Sequence, residues 1–279
     1  MNPPGEMGER RMKTTRLAAL TLAALCTAAP AIAQEETDQN RAARWKALAD
    51  SIFPGKPMQD GGGVIALDAP PRALDAALVP VTITTSGPAK IGALYLIVDD
   101  NPAPLAAAIH FGPASDPRQL TTRIRVNQYT LIHAVAETTG GKLYATSRFI
   151  KAAGGCSAPA SGNAAEAAAH IGRMKFRLQG PAAPGQTVTA NLLISHPNNN
   201  GMQMDPVART YTPARYVQTV TVTEGGQLVF RLDGDISLSQ DPAFTFGLIP
   251  QGNAPVDVHV EDSKRTIFEK SFPLEAKPS

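Results

Sequence analysis

The sequence predicts an all-β protein built as two β-sandwich domains with a short helix in front. Three observations predict it. Apolar and polar residues alternate over short runs from residue 79 onward, Pro and Gly punctuate those runs, and a single stretch, 151–172, interrupts them with hardly a large side chain in it. Alternation of period two sets one face of a strand on a core and the other in water, which is how antiparallel sandwich strands read.

The helix comes first. Over residues 40–53, Trp45, Leu48 and Ile52 recur at helical spacing, and Pro54-Gly55 ends the run. Trp45 is expected to anchor this helix on the sandwich, since a large aromatic is mostly at least partly buried. Strands follow: Val79, Val81 and Ile83 alternate with polar or small residues, as do Leu94, Leu96 and Val98. Further β-rich runs occupy 121–126, 130–137 and 143–150, with Gly140-Gly141 as a hairpin signal between the last two.

In the second half Met174, Phe176 and Leu178 alternate, and strand-like runs cover 187–195, 216–223, 227–232, 243–249, 256–261 and 266–272. Glu224-Gly225-Gly226 makes a tight hairpin between two of them. Seven or so strands in about a hundred residues predict an immunoglobulin-like sandwich. The two halves share this architecture without an obvious sequence repeat.

Residues 151–172 are nearly all Ala, Gly, Ser and Pro, a composition that cannot bury enough surface to offset the entropy of ordering it. They read as a flexible linker between a first domain at 34–150 and a second at 173–279. Residues 1–33 stand apart as a signal peptide: Arg10, Arg11, Lys13 and Arg16 precede an apolar run over 17–25, and Ala31-Ile32-Ala33 is a small-x-small cleavage site. Arg10-Arg11 fits the twin-arginine route, but Met12-Lys13-Thr14 lacks the hydrophobic residues expected after the pair, so that route and the general one both stay open.

Charge narrows the partners. The 279-residue chain has a net charge of +2, and residues 1–33 take four basic and two acidic side chains with them, leaving 22 Lys+Arg against 22 Asp+Glu. A neutral chain with no basic stripe has no electrostatic basis for binding nucleic acid or an anionic membrane. No other apolar segment approaches the roughly 20 residues that cross a bilayer. The expectation is a soluble periplasmic protein with no membrane span in its mature form.

The chemistry concentrates on sulfur. Cys26 falls within the signal segment, which leaves Cys156, in Gly154-Gly155-Cys156-Ser157-Ala158-Pro159, as the one mature cysteine. Cysteines in an oxidising compartment normally pair, so a single thiol among small residues on a linker is expected to be exposed for use. Gly154 and Gly155 lack Cβ atoms, which lets the backbone adopt positive φ and pass narrow openings, the properties of a swinging arm. The six residues after Ile150 would extend such an arm by roughly 20 Å at about 3.3 Å each. Lys151 is the nearest cation in sequence, and Asn163 with Glu166 reads as the cap of a short helix through 164–170. The other uses of a free thiol are a buried small hydrophobe and a Cys156-linked dimer.

Other chemistries find little support. His110, His133, His196 and His259 stand singly in strand-like segments with no metal-ligand spacing, and His196 before Pro197 reads as part of a turn. Asp99-Asp100-Asn101 suggests a calcium loop, but Pro102 and Pro104 break the required spacing and a turn is the better reading. Ser195 and His196 are adjacent in sequence rather than a triad, no Gly-x-Ser-x-Gly elbow is present, and no base neighbours the thiol. No catalytic residue and no metal ligand is assigned.

Particular motifs carry a resemblance. Residues 98–106, Val-Asp-Asp-Asn-Pro-Ala-Pro-Leu-Ala, with Thr122-Arg123-Ile124-Arg125, residues 137–144 and the Gly-Gly-Cys at 154–156, resemble SoxY. Leu193-Ile194-Ser195-His196-Pro197, Val220-Thr221-Val222-Thr223 and residues 239–244 resemble SoxZ. The whole is similar to the fused SoxYZ-like carriers associated with quinoprotein dehydrogenases. The resemblance implies a non-enzymatic carrier of periplasmic sulfur oxidation that holds sulfur intermediates covalently on Cys156 and needs no other cofactor. It implies partners among Sox-type or quinoprotein dehydrogenase and cytochrome c redox proteins, with an intramolecular SoxY–SoxZ-like pair. Two features depart from the family arm: Ser157 and Ala158 follow the thiol where glycines are usual, and the chain runs on into a second domain. The rival reading is a noncatalytic accessory module of a quinoprotein (PQQ) dehydrogenase system that has lost or changed its sulfur cargo.

Overall fold

A computed structural model describes residues 1, 37–159, 169–205 and 209–274. Beyond its first residue, the expected signal segment lies outside the described residues, as do the middle of the expected linker and its cap at Asn163 and Glu166. Among the described residues no helix is long and apolar enough to cross a membrane.

The chain is mostly β with one N-terminal helix, α1 (Asp38–Ile52). The helix starts two residues before the apolar periodicity does, because Thr37, in an extended conformation, caps it: the Thr37 hydroxyl accepts from the Asn40 N–H at 3.3 Å, and Asp38 sits in the positively charged first turn.

The strands of the first half are β1 (Met58–Asp60), β2 (Ile65–Asp68), β3 (Val79–Thr85), β4 (Ile91–Val98), β5 (Leu105–Phe111), β6 (Ser115–Ile124), β7 (Thr130–Thr138) and β8 (Leu143–Ile150). The second half supplies β9 (Met174–Leu178), β10 (Val188–Ile194), β11 (Val217–Glu224), β12 (Gln227–Gly234), β13 (Ala243–Leu248), β14 (Val256–Asp262) and β15 (Ile267–Phe272). Each alternating run of the sequence is found as a strand. Buried Val79, Val81 and Ile83, for example, face one way along β3 while Pro80 and Thr84 face out.

The pairing of those strands goes beyond what alternation can specify. One sheet runs β1-β8-β7-β4-β5-β12-β11-β14-β15 and the other β2-β3-β6-β13-β10-β9, so both sheets pass through both halves. The junctions are antiparallel: β12 pairs β5 from Phe230↔Phe111 to Gly234↔Ala107, and β13 pairs β6. At the first of them Gly112 passes so close to β12 that a Cβ there would lie 2.1 Å from the Leu228 carbonyl oxygen. The core between the sheets is correspondingly continuous, with Ile109, Leu120 and Ile124 of the first half and Ile194, Phe230 and Phe246 of the second in a single buried cluster.

A smaller cluster lies on the outer face of the nine-stranded sheet, where α1 covers it. Phe53, Ile97, Val135 and Leu143 are buried there beneath Trp45, Leu48 and Ile52. This explains why β4 and β7 are apolar on both faces. Trp45 anchors the helix as expected, stacked on the imidazole of His133 at 3.6 Å and 2°. His133 in turn meets Asp99, Nδ1 to Oδ1, at 2.9 Å. His133 is thus a satisfied structural histidine.

Shared sheets make a testable statement about cooperativity. Ile194→Val, which removes one buried methyl in the second half, is expected to cost about 0.5–1.5 kcal/mol. Trp45, the one tryptophan of the chain, lies in the first half, and its fluorescence in a urea titration should report that loss in full. A Trp45 transition that stays put would mean that the halves unfold independently.

Candidate functional site

Where β8 ends, the chain crosses the end of the first half. Lys151 bridges to Arg72 in parallel register, its N–H donating to the Pro71 carbonyl at 2.9 Å and its carbonyl accepting from the Ala73 N–H at 3.1 Å. The next residues follow the segment after β6. The Gly154 N–H donates to the Asn127 carbonyl at 2.7 Å and the Gly155 N–H to the Val126 carbonyl at 3.0 Å, while Val126 itself donates to the Ala76 carbonyl at 2.8 Å. Gly154 has φ +79°, and the N–H groups of Ser157 and Ala158 turn back to its carbonyl at 3.2 and 2.9 Å.

Both glycines have a steric reason to be there. Gly154 occupies left-handed backbone, which costs a residue with a Cβ roughly 1 kcal/mol. Gly155 is wedged: a Cβ would sit 2.0 Å from the Ala76 carbonyl oxygen and 2.6 Å from that of Val126. A narrow passage and a positive φ are what the sequence suggested, but in this state the pair fixes the loop in place rather than letting it swing.

The thiol is therefore not where composition predicts. Small residues around Cys156 suggest an exposed arm; instead Cys156 is buried, 1% exposed, and forms no disulfide. The physical reason is close approach. Residues with little or no side chain let the backbone lie against Ala76 and Val126, and the second half closes over the result. Asn200 Nδ2 donates to the Cys156 carbonyl at 2.7 Å, and Asn200 is itself held by Gln203, whose Oε1 accepts from the Asn200 N–H at 2.9 Å. Asn198 stabilises the same loop, with its N–H donating to His196 Nδ1 at 3.0 Å and its Oδ1 accepting from the Val217 N–H at 3.0 Å. Burial lowers the pKa of His196 despite Asp262 nearby, so the ring is neutral and structural.

The cation beside the thiol is Arg125, from the segment after β6; Lys151 is exposed. Arg125 is among the largest fully buried side chains, 1% exposed, and its Nη1 donates to the Gly155 carbonyl at 3.1 Å. Burial pushes the Cys156 thiol up to about 11, against the opposing pull of Arg125. Burial also lowers the Arg125 pKa, with the charges of Cys156 and Asp75 opposing. Asn101 ties the base of this arrangement together: its Nδ2 donates to the Arg125 carbonyl at 2.7 Å and to Ser237 Oγ at 2.9 Å, and its Oδ1 accepts from the Asn127 N–H at 2.9 Å. The Asp99-Asp100-Asn101 turn is thus a brace, and among the described residues no group of His, Cys, Asp or Glu has the makings of a metal site.

Arg125, Asn101 and Asn200 were not singled out as site residues by sequence. Arg123 and Arg125 alternate with Ile124 as a solvated strand face would, and nothing local shows that the second half covers that face.

Two family models match the chain. That of SoxY, described as sulfur oxidation protein SoxY, matches residues 49–156, and that of SoxZ, described as sulphur oxidation protein SoxZ, matches residues 174–273. Among solved structures, the sulfur carrier protein SoxY from Chlorobium limicola f thiosulfatophilum is 25% identical over 40% of this chain and 94% of its own, with a TM-score of 0.35. A superoxide reductase (neelaredoxin) from Ignicoccus hospitalis is 15% identical over 39% of this chain and 90% of its own, with a TM-score of 0.28. No curated protein matches. The two family models are the matches that bear on function, and the first of them ends on Cys156.

Proposed function

On the premise that this chain belongs to the SoxY and SoxZ families, one domain of each fused in a single polypeptide of the non-catalytic sulfur carrier family, we propose that it carries sulfur intermediates of periplasmic sulfur oxidation covalently on Cys156. One observation carries the reading: the SoxY match terminates at the one cysteine among the described residues, and that cysteine lies under a loop of the SoxZ half. The buried geometry supports a carrier with two positions. Docked, the sulfur is shielded; undocked, Gly154 and Gly155 become the hinge that presents it to partner redox enzymes of the Sox or quinoprotein dehydrogenase and cytochrome c type. Export behind the signal segment at 1–33 puts the chain in the same compartment as those partners.

Intact-protein mass measurement tests this. After incubation with thiosulfate or sulfide and periplasmic extract, the chain is expected to gain sulfur-containing mass increments that Cys156→Ser loses entirely. Increments that persist in Cys156→Ser would move the cargo elsewhere. No increments in the unaltered chain would favour the accessory module of a quinoprotein dehydrogenase system.

A further inference from the structure

Arg125 is a charged group shut away from water with its electrostatics incomplete. Its Nη1 is satisfied by the Gly155 carbonyl, but its Nε is buried and has no hydrogen-bond partner among the described residues. No carboxylate lies within ion-pair distance of it among the described residues. Asp75, the other anion that acts on it, is exposed, and its Oδ1 accepts from the Ala77 N–H. An isolated buried charge costs several kcal/mol unless an opposite charge accompanies it. Arg125 Nη1 is bonded to the carbonyl of the residue before Cys156, whose sulfur acts on its charge but as a thiol is neutral.

Resting on the carrier reading, we infer that Arg125 recognises the negative end of the cargo: in the docked loop its guanidinium holds the anionic outer sulfur of a persulfide on Cys156. A perthiol ionises more readily than the thiol it is built on, so loading places a negative charge where the empty thiol has none. The completed pair is a charge-assisted hydrogen bond in a dry site, where such bonds are strongest. Docking of the loop thereby becomes selective for the loaded, anionic form. Arg125 is a specificity-determining residue of the carrier rather than a catalytic one.

Tetrasulfide is the loading probe. The Cys156 thiolate attacks a terminal sulfur, RS⁻ + S₄²⁻ giving RSS⁻ + S₃²⁻, with no external oxidant. Cyanide then removes the outer sulfur, RSS⁻ + CN⁻ giving RS⁻ + SCN⁻, at a rate that reports how well the persulfide is held. Cyanolysis is expected to be about ten-fold faster in Arg125→Gln than in the unaltered chain, the loss of one charge-assisted hydrogen bond, with Arg125→Lys in between. A second measurement needs no variant. The persulfide form should melt several degrees above the uncharged methyl disulfide formed at Cys156 by methyl methanethiosulfonate, which lacks the charge and adds one methyl group.

Equal cyanolysis rates in a folded Arg125→Gln, or a persulfide form that melts no higher than the methyl disulfide form, overturn the inference while leaving the carrier intact. Should Arg125→Gln fail to fold, the melting comparison decides alone. An unaltered chain that takes up no sulfur from tetrasulfide overturns the carrier reading and the inference with it.

Discussion

Cys156 is expected to react with iodoacetamide at pH 8 about 100-fold more slowly in the folded chain than in urea. Only the thiolate is nucleophilic, and burial moves the thiol from an ordinary value of 9.0 to about 11, so the thiolate fraction falls by about two decades. The direction with pH follows from which form the fold favours. A raised pKa means that the folded state holds the proton more tightly, so the stability of the docked loop is complete below pH 9 and is lost as pH rises from there toward 11. Between those values the folded chain should gain reactivity about ten-fold per unit while the unfolded chain levels off. A ratio near one at pH 8 would mean that the loop stands open most of the time; an intermediate ratio measures how often it opens.

Gly155→Ala is expected to abolish that protection. The added Cβ would lie 2.0 Å from the Ala76 carbonyl oxygen and 2.5 Å from its carbon, and neither is the flexible end of a side chain that can swing aside. Relief comes from moving the loop, which gives up the Gly155 and Arg125 hydrogen bonds and exposes the sulfur. Alkylation at pH 8 should rise about 100-fold toward the unfolded rate while circular dichroism shows the sandwich intact. Gly154→Ala is the control: its Cβ meets nothing nearer than Ser157 Oγ at 3.8 Å, so only backbone strain of roughly 1 kcal/mol opposes docking and the rate should change much less. Equal rates for the two variants would show that the close contact at Gly155 does not hold the loop.

What the sequence reveals is mainly local. Val79, Val81 and Ile83 announce β3 because period two is a property of the strand itself, and Trp45 announces the helix that packs on the sheet. Among the strands it conceals, with β1 and β2, is β5, where Ala106, Ala107 and Ala108 have weak strand propensity and separate the larger side chains of Leu105 and Ile109. That strand carries the junction to β12, so the merging of the two halves into common sheets was hidden with it. The site follows the same division. Cys156 and the conformational demands on its glycines are visible in residue types, whereas its burial is not, because small residues are shared by mobile chain and by tightly crossed backbone. Arg125 looks like one of two solvated arginines until the loop through Asn200 is placed against the same segment.

The lid over Cys156 also has a place in time. The backbone group that it grips precedes Asn200 by 44 residues, and the strands that hold the lid in position extend to Asp262 and beyond. A chain delivered from its N-terminus therefore presents the sulfur bare, and acquires its shelter only after the last third of the polypeptide has arrived and paired. Newly delivered molecules and finished ones thus differ in what can reach the same atom.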